Sequence, residues 1–113
     1  PVVTMKYPYV HLGSRKSLIG EIPSSEMVEY FSNELKVKAD TPPTILIHSD
    51  DDSDVLVENS VNYYLALRKF KIPAALHIWE DGGHGFGLAK NRGSVKDWPY
   101  ICQNWMIQRK LIN

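Results

Sequence analysis

Residues 44–80, TILIHSDDDSDVLVENSVNYYLALRKFKIPAALHIWE, decide the fold of this chain. The opening "TILIH" has an unbroken apolar centre, which predicts a strand covered on both faces. Residues 57–70 predict a helix, and residues 73–80, "PAALHIWE", predict a second strand. The helix carries its apolar side chains at helical spacing, at Val57, Val61, Tyr64, Leu65 and Leu67. Strand, helix and strand in this order predict parallel pairing through a right-handed crossover, and therefore an α/β fold.

The residues before this stretch extend the same architecture. Residues 2–5 form a β-branched run typical of a buried strand, which brings the expected number of parallel strands to about three. Because the strand pattern begins directly at Pro1 without a lead-in, we expect the chain to be cut upstream. Residues 6–25 contain too much Gly, Pro and Ser to form one regular element. No internal repeat or linker divides the sequence, so we expect residues 1–113 to form one partial domain.

Two further helices flank the predicted sheet. A short helix that reaches Phe31 can be capped at its start by Ser24 or Ser25. Residues 98–112 predict the closing helix. Its apolar positions are Trp98, Ile101, Trp105 and Leu111 or Ile112.

Composition excludes several classes of partner. The chain has 113 residues, and the charges of its 13 basic and 13 acidic side chains cancel. Without a broad field of either sign, we expect no nucleic-acid partner and no membrane partner. No apolar run approaches the ~20 residues of a membrane span. Cys102 is the single cysteine, so no internal disulfide is possible, and the sequence leaves the compartment open.

The side chains capable of chemistry follow the two predicted strands. Residues 50–54 form an acidic cluster after the first strand, and residues 82–87, "GGHGFG", follow the second. Ligands of parallel sheets bind beyond the carboxyl ends of the strands. Because adjacent strands lie about 4.8 Å apart, a carboxylate of the cluster and His84 can come within hydrogen-bonding distance. Histidine can act as a general base near neutral pH when a partner fixes its tautomer.

Other interpretations of these residues remain open. His84 can be a turn histidine that bonds only its own loop, and Asp52 can serve as an Asx-turn or helix cap. Asp50, Asp52 and Asp54 alternate as in the first half of a calcium-binding EF-hand loop, but valines replace the loop's glycine and final glutamate. His48 and His84 lack the spacing of a zinc site. We therefore expect neither a metal nor a cofactor.

Residues 41–87 together resemble the C-terminal part of the α/β-hydrolase fold. The similarity is to the branch that contains acetyl-xylan esterases, feruloyl-esterase-like enzymes and dienelactone-hydrolase-like enzymes. The upstream "HLGSRKSLIGEIPS", residues 11–24, and the tryptophan-bearing last helix also fit this branch. The resemblance implies a serine hydrolase that acts on carboxylic esters, with carbohydrate-linked esters of the xylan type as the expected substrate.

The resemblance also implies roles for two residues. In the family the triad runs Ser, Asp, His along the chain, with the acid and the histidine after the last two core strands. The matching residues are Asp52 and His84, with Asp52 as the orienter of the base. Leu56 stands where the family usually has proline, so the acid stays open among Asp50, Asp51 and Asp52.

The serine nucleophile of the family has no counterpart in these residues. No G-x-S-x-G elbow occurs in the sequence, and the donors of the oxyanion hole belong to earlier segments of the fold. We therefore expect the chain alone to be inert toward esters and to need an N-terminal portion of the same fold. A sheet edge left without this portion is expected to favour self-association. The competing hypothesis is a non-catalytic α/β scaffold or interaction module.

Overall fold

A two-stranded parallel sheet forms the centre of the molecule. The computed structural model describes residues 11–113, and the strand predicted over residues 2–5 lies outside this range. β1 (Thr44–Ser49) pairs in parallel with β2 (Ala74–Trp79), with Thr44 opposite Ala74 and Ser49 opposite Trp79. Both strands lie where the sequence predicts them, and their parallel pairing is confirmed. The carboxyl ends of the two strands therefore meet at one edge.

Helices flank this sheet. Two short turns of 3-10 helix, Asn33–Leu35 and Ser94–Asp97, accompany them. The helices are α1 (Leu12–Ile19), α2 (Ser25–Tyr30), α3 (Glu58–Lys69) and α4 (Trp98–Gln108). No helix in the described part of the chain is both long and apolar enough to cross a lipid bilayer.

The crossover helix α3 supplies the main core contact of the sheet. Leu67 is fully buried and packs in a cluster with Val37, Leu46 and Ile72. Leu65 was predicted on the same face, but it is 55% exposed. Two residues correspond to a rotation of about 200° around a helix, so Leu65 points away from the face that Leu67 buries. The helix prediction was right, and the position of Leu65 on its apolar face was wrong.

A helix inside residues 6–25 was not predicted. α1 is capped at its N-terminus by the His11 side chain, whose Nδ1 accepts the amide of Ser14 at 3.1 Å. Gly20, at φ +85°, ends the helix, and its amide bonds back to the carbonyl of Lys16. Histidine is not a common N-cap residue, and Gly and Ser within the segment mask the helical pattern.

The last helix is shorter than predicted. α4 ends at Gln108, whereas the sequence pattern continues to residue 112. Lys110 has φ +57°, and the amides of Lys110 and Leu111 bond back to carbonyls of the final turn. This pair of bonds is a Schellman motif, which ends a helix regardless of the apolar residues that follow. Leu111 is left 63% exposed.

Candidate active site

The loop that follows β1 fixes one carboxylate in place. Asp52 is buried, and its Oδ1 accepts the amide of Asp54 at 3.0 Å and the amide of Val55 at 2.8 Å. These two bonds form an Asx-type turn, one of the alternatives left open by the sequence. The turn and the contact with a histidine are not exclusive, because the same carboxylate makes both.

The loop that follows β2 carries His84 on a turn rich in glycine. Gly82, Gly83 and Gly85 all have positive φ values, which side chains of L-residues rarely adopt. A Cβ atom placed on Gly82 would lie 2.2 Å from Ser49 Oγ, so the end of β1 leaves no room for a side chain there. The glycines therefore let the chain pass close to β1 and then present the His84 ring.

His84 and Asp52 are in direct contact across the strand ends. His84 Nδ1 lies 3.0 Å from Asp52 Oδ2 and 3.1 Å from Oδ1. An ionised carboxylate can only accept hydrogen bonds, so Nδ1 carries a proton, and in the neutral ring Nε2 keeps its lone pair. The Asp52 side chain is 9% exposed and that of His84 is 46% exposed. The carboxylate is thus enclosed, whereas the imidazole ring can be reached from outside.

The environment of Asp52 keeps its carboxyl ionised. Burial raises the pKa of Asp52, but the hydrogen bonds from the Val55 amide, from His84 and from the Asp54 amide lower it by more. The resulting pKa lies below the usual value of an aspartate. Asp52 is therefore an anion at neutral pH, as the orientation of a histidine base requires.

The neighbouring aspartates make different contacts. Asp51 Oδ1 accepts the backbone amide of Gly83 at 2.7 Å. The backbone amide of Asp50 bonds to the carbonyl of Trp79, again at 2.7 Å, and its side chain is exposed. In the described part of the chain, Asp52 is therefore the member of the three whose carboxylate bonds the His84 ring.

A second histidine lies behind Asp52. His48, near the end of β1, is buried, and its Nε2 donates to the carbonyl of Val55 at 2.8 Å. Its Nδ1 then accepts from Ser60 Oγ at 2.7 Å, and Nε2 is also 3.5 Å from Asp52 Oδ2. His48 thus links β1, α3 and the loop that follows β1. Its position at a strand end predicts a packed residue, which its burial confirms, but not these hydrogen-bond partners.

An open cavity of about 660 Å³ borders these groups. Asp52, His48 and His84 line one part of it, and apolar residues such as Ile47 and Phe86 line the rest. Phe86 packs edge-on against Trp98 at the start of α4, and Trp98 Nε1 donates to the carbonyl of Gly87. The cavity thus places a half-exposed imidazole ring beside an apolar wall that a small neutral molecule could occupy.

The metal hypotheses find no support in residues 11–113. No group of three His, Cys, Asp or Glu side chains in this range is placed to hold an ion. The carboxylate oxygens of Asp52 are already occupied by hydrogen bonds from Asp54, Val55 and His84.

Known proteins are similar to this chain over most of its length. The sequence model of the prolyl oligopeptidase family matches residues 4–107. Endo-1,4-beta-xylanase B of Butyrivibrio fibrisolvens is 41% identical over 91 residues, which are 80% of this chain and 14% of that protein. An acetylxylan esterase of Xylanibacter ruminicola is 31% identical over 92 residues, 78% of this chain and 19% of the esterase. The chain thus spans less than a fifth of the length of these two relatives.

Solved structures match the described architecture. An acetyl ester-xyloside bifunctional hydrolase from Caldicellulosiruptor lactoaceticus superposes with a TM-score of 0.96 at 41% identity, covering all of this chain and 41% of that one. A carboxylesterase from Lactobacillus plantarum gives a TM-score of 0.77 at 19% identity, covering all of this chain and 43% of that one. At that identity the second match bears on the fold alone.

Proposed function

Because the chain belongs to the prolyl oligopeptidase family and has an α/β-hydrolase-like fold, we propose that it supplies the Asp and His of a Ser-Asp-His triad. The whole protein would then be a serine hydrolase that acts on carboxylic esters. The observation that carries this proposal is the bond between buried Asp52 and half-exposed His84, 3.0 Å long, across two neighbouring strand ends. The catalytic roles of both residues remain a prediction.

The geometry suits a defined sequence of proton transfers. His84 Nε2 takes the proton of a serine hydroxyl supplied by the rest of the fold, and the serine oxygen bonds to the ester carbonyl carbon. Asp52 stabilises the imidazolium formed in this step. The imidazolium gives its proton to the leaving alkoxide, which departs as the alcohol and leaves an acyl-serine. His84 then takes a proton from a water molecule, whose oxygen bonds to the acyl carbon. The bond from that carbon to the serine oxygen breaks, the imidazolium returns its proton to the serine, and the acid is released.

The relatives support a carbohydrate-linked ester as the substrate. The names of two matched proteins specify an acetylxylan esterase and an acetyl ester-xyloside hydrolase, and a third is a xylanase. We therefore propose acetyl esters of xylan-type sugars as the substrate class. The apolar wall formed by Ile47 and Phe86 suits a short acyl group better than a charged one.

Hydrolysis of nitrophenyl acetate by the 113-residue polypeptide tests one half of this proposal. These residues lack the elbow serine, so turnover should not exceed that of buffer. Turnover well above buffer that disappears in His84→Ala would show that the chain needs no external nucleophile.

The coding sequence upstream of residue 1 tests the other half. A G-x-S-x-G elbow between a strand and a helix is expected there. A complete upstream sequence without a candidate nucleophile would favour the non-catalytic scaffold instead.

A further inference from the structure

Two consecutive acidic residues reach across the gap between the strand ends. Asp52 bonds the His84 ring, and Asp51 bonds the backbone amide of Gly83, the residue directly before it. We propose that Asp51 is a positioning residue that holds the glycine turn so that His84 meets Asp52. This inference rests on the proposed function, since it assigns Asp51 a part in aligning the base.

The contact of Asp51 restrains the two loops because it lies next to the contact of Asp52. Asp51 and Asp52 are adjacent on one loop, and Gly83 and His84 are adjacent on the other. A single bond between two loops leaves rotation about that bond. Two bonds between consecutive residues restrict this rotation and fix the direction of the ring. The distance from Asp51 Oδ1 to the Gly83 nitrogen, 2.7 Å, is short, as expected when the acceptor is charged.

The glycine turn needs such a restraint because its own residues offer little side-chain packing. Gly82, Gly83 and Gly85 lack side chains that could pack, and glycine has the largest conformational freedom to lose. The side chain of His84 is half exposed, so packing alone does not set its orientation. The Asp51 carboxylate holds the N–H of the peptide group between Gly82 and Gly83, which the chain leaves directly before His84.

A second side chain holds the same peptide group. Arg92 Nη1 donates to the carbonyl of Gly82 at 2.6 Å, and Gly82 itself packs on the end of β1. The Gly82 carbonyl and the Gly83 amide are the two ends of one planar peptide group. Arg92 therefore fixes its oxygen and Asp51 fixes its N–H, so the plane from which the chain enters His84 is held from two sides.

Nuclear magnetic resonance of the 113-residue protein tests the contact directly. An amide proton that is bonded to a charged carboxylate has a different chemical shift from one that is bonded to a neutral carbonyl. The Gly83 amide proton is therefore expected to change its shift in Asp51→Asn at constant pH. Asp50→Asn is the matched control, because Asp50 is an adjacent, exposed aspartate, and it should leave the Gly83 shift unchanged.

The positioning role is tested by the tautomer of His84. Ring nitrogen shifts should show the proton on Nδ1 in the original protein and in Asp50→Ala. In Asp51→Ala the Nδ1-protonated fraction should fall, and exchange of the Gly83 amide should be about tenfold faster. Asp51→Asn keeps a carbonyl acceptor and should restore most of the tautomer preference. Urea unfolding of each variant checks that global stability is similar.

Two results would overturn the proposal. One is a Gly83 amide proton whose chemical shift is the same in Asp51→Asn as in the original protein, and the other is an unchanged His84 tautomer and Gly83 exchange rate in Asp51→Ala. None of these measurements requires ester hydrolysis. A whole protein without esterase activity would therefore contradict the proposed function but not the positioning of the His84 ring by Asp51. Conversely, a negative result in the resonance experiments would contradict the role of Asp51 but not the proposal for Asp52 and His84.

Discussion

Asp52 makes two kinds of contact with one carboxylate. Its Oδ1 closes the turn in the loop that follows β1, and both of its oxygens face the Nδ1 of His84. The carboxylate is therefore held in place in advance, which the proposed role in orienting a base without reorganisation requires. His48 adds a polar contact to the same loop through the carbonyl of Val55.

The lowered pKa of Asp52 predicts an acid-dependent loss of stability. A depressed native pKa means that the ionised form stabilises the folded state. This contribution is complete above the ordinary aspartate pKa, about 3.9, and is lost as pH falls through the lower native value. Urea unfolding from about pH 6 to pH 2.5 should show this decline, and the slope should be smaller in Asp52→Asn. Asp50→Asn should keep the original slope, and equal slopes for all three proteins would contradict the account.

At the scale of elements, periodic burial determined how much could be predicted. β1, β2 and α3 were found from sequence because their apolar residues form either a continuous run or a repeat at helical spacing. α1 and the end of α4 depend instead on single hydrogen bonds, from Ser14 to the His11 ring and around Lys110, which leave no repeat. Apolar residues beyond the last turn made α4 look longer than it is.

For the candidate site, the sequence predicted which loops come together but not which side chains bond. The two loops could be placed together because parallel strands end at the same edge, and this required no side-chain detail. The choice among Asp50, Asp51 and Asp52 depends on how the loop that follows β1 turns after Ser49. The pattern of apolar and polar residues does not determine this turn. The hydrogen-bond partners of His48 in this loop could not be predicted for the same reason.

The packing of α3 gives a direct test at this scale. Leu67 is fully buried against the sheet, whereas Leu65 on the same helix is 55% exposed. Leu67→Ala should lower the free energy of unfolding by about 2–5 kcal/mol, because it leaves a cavity as well as losing apolar burial. Leu65→Ala is the matched control and should change it by no more than about 0.5 kcal/mol. Urea denaturation measures both, and similar losses in the two variants would contradict the orientation of α3.

At the scale of the whole molecule, the chain matches one part of a larger solved fold. It covers 41% of a hydrolase that it matches with a TM-score of 0.96. The proposed base and its orienter lie in the loops that follow β1 and β2, while the family's nucleophile elbow has no counterpart in the 113 residues. A division of the triad between two parts of one fold is thus the structural basis of the proposed function.

Self-association is the expected consequence for the isolated polypeptide. Within residues 11–113, β1 and β2 are paired only with each other, and an uncovered strand edge offers unpaired backbone groups to another chain. Light scattering at micromolar concentration should give twice the mass of the 12.9 kDa chain. A monomer mass over the whole accessible concentration range would contradict this prediction.

The central claim, that Asp52 and His84 act together as acid and base of an esterase, is tested most directly by a graft. This chain would replace the matched segment of the Caldicellulosiruptor lactoaceticus hydrolase, to which it is 41% identical, and hydrolysis of nitrophenyl acetate would be measured. The control is His77→Ala, since His77 lies within β2 and stacks on Trp79. We predict an active graft that loses about a thousandfold or more of its kcat in His84→Ala and stays within a few-fold in His77→Ala. A His84→Ala graft as active as the unmodified one would contradict the account.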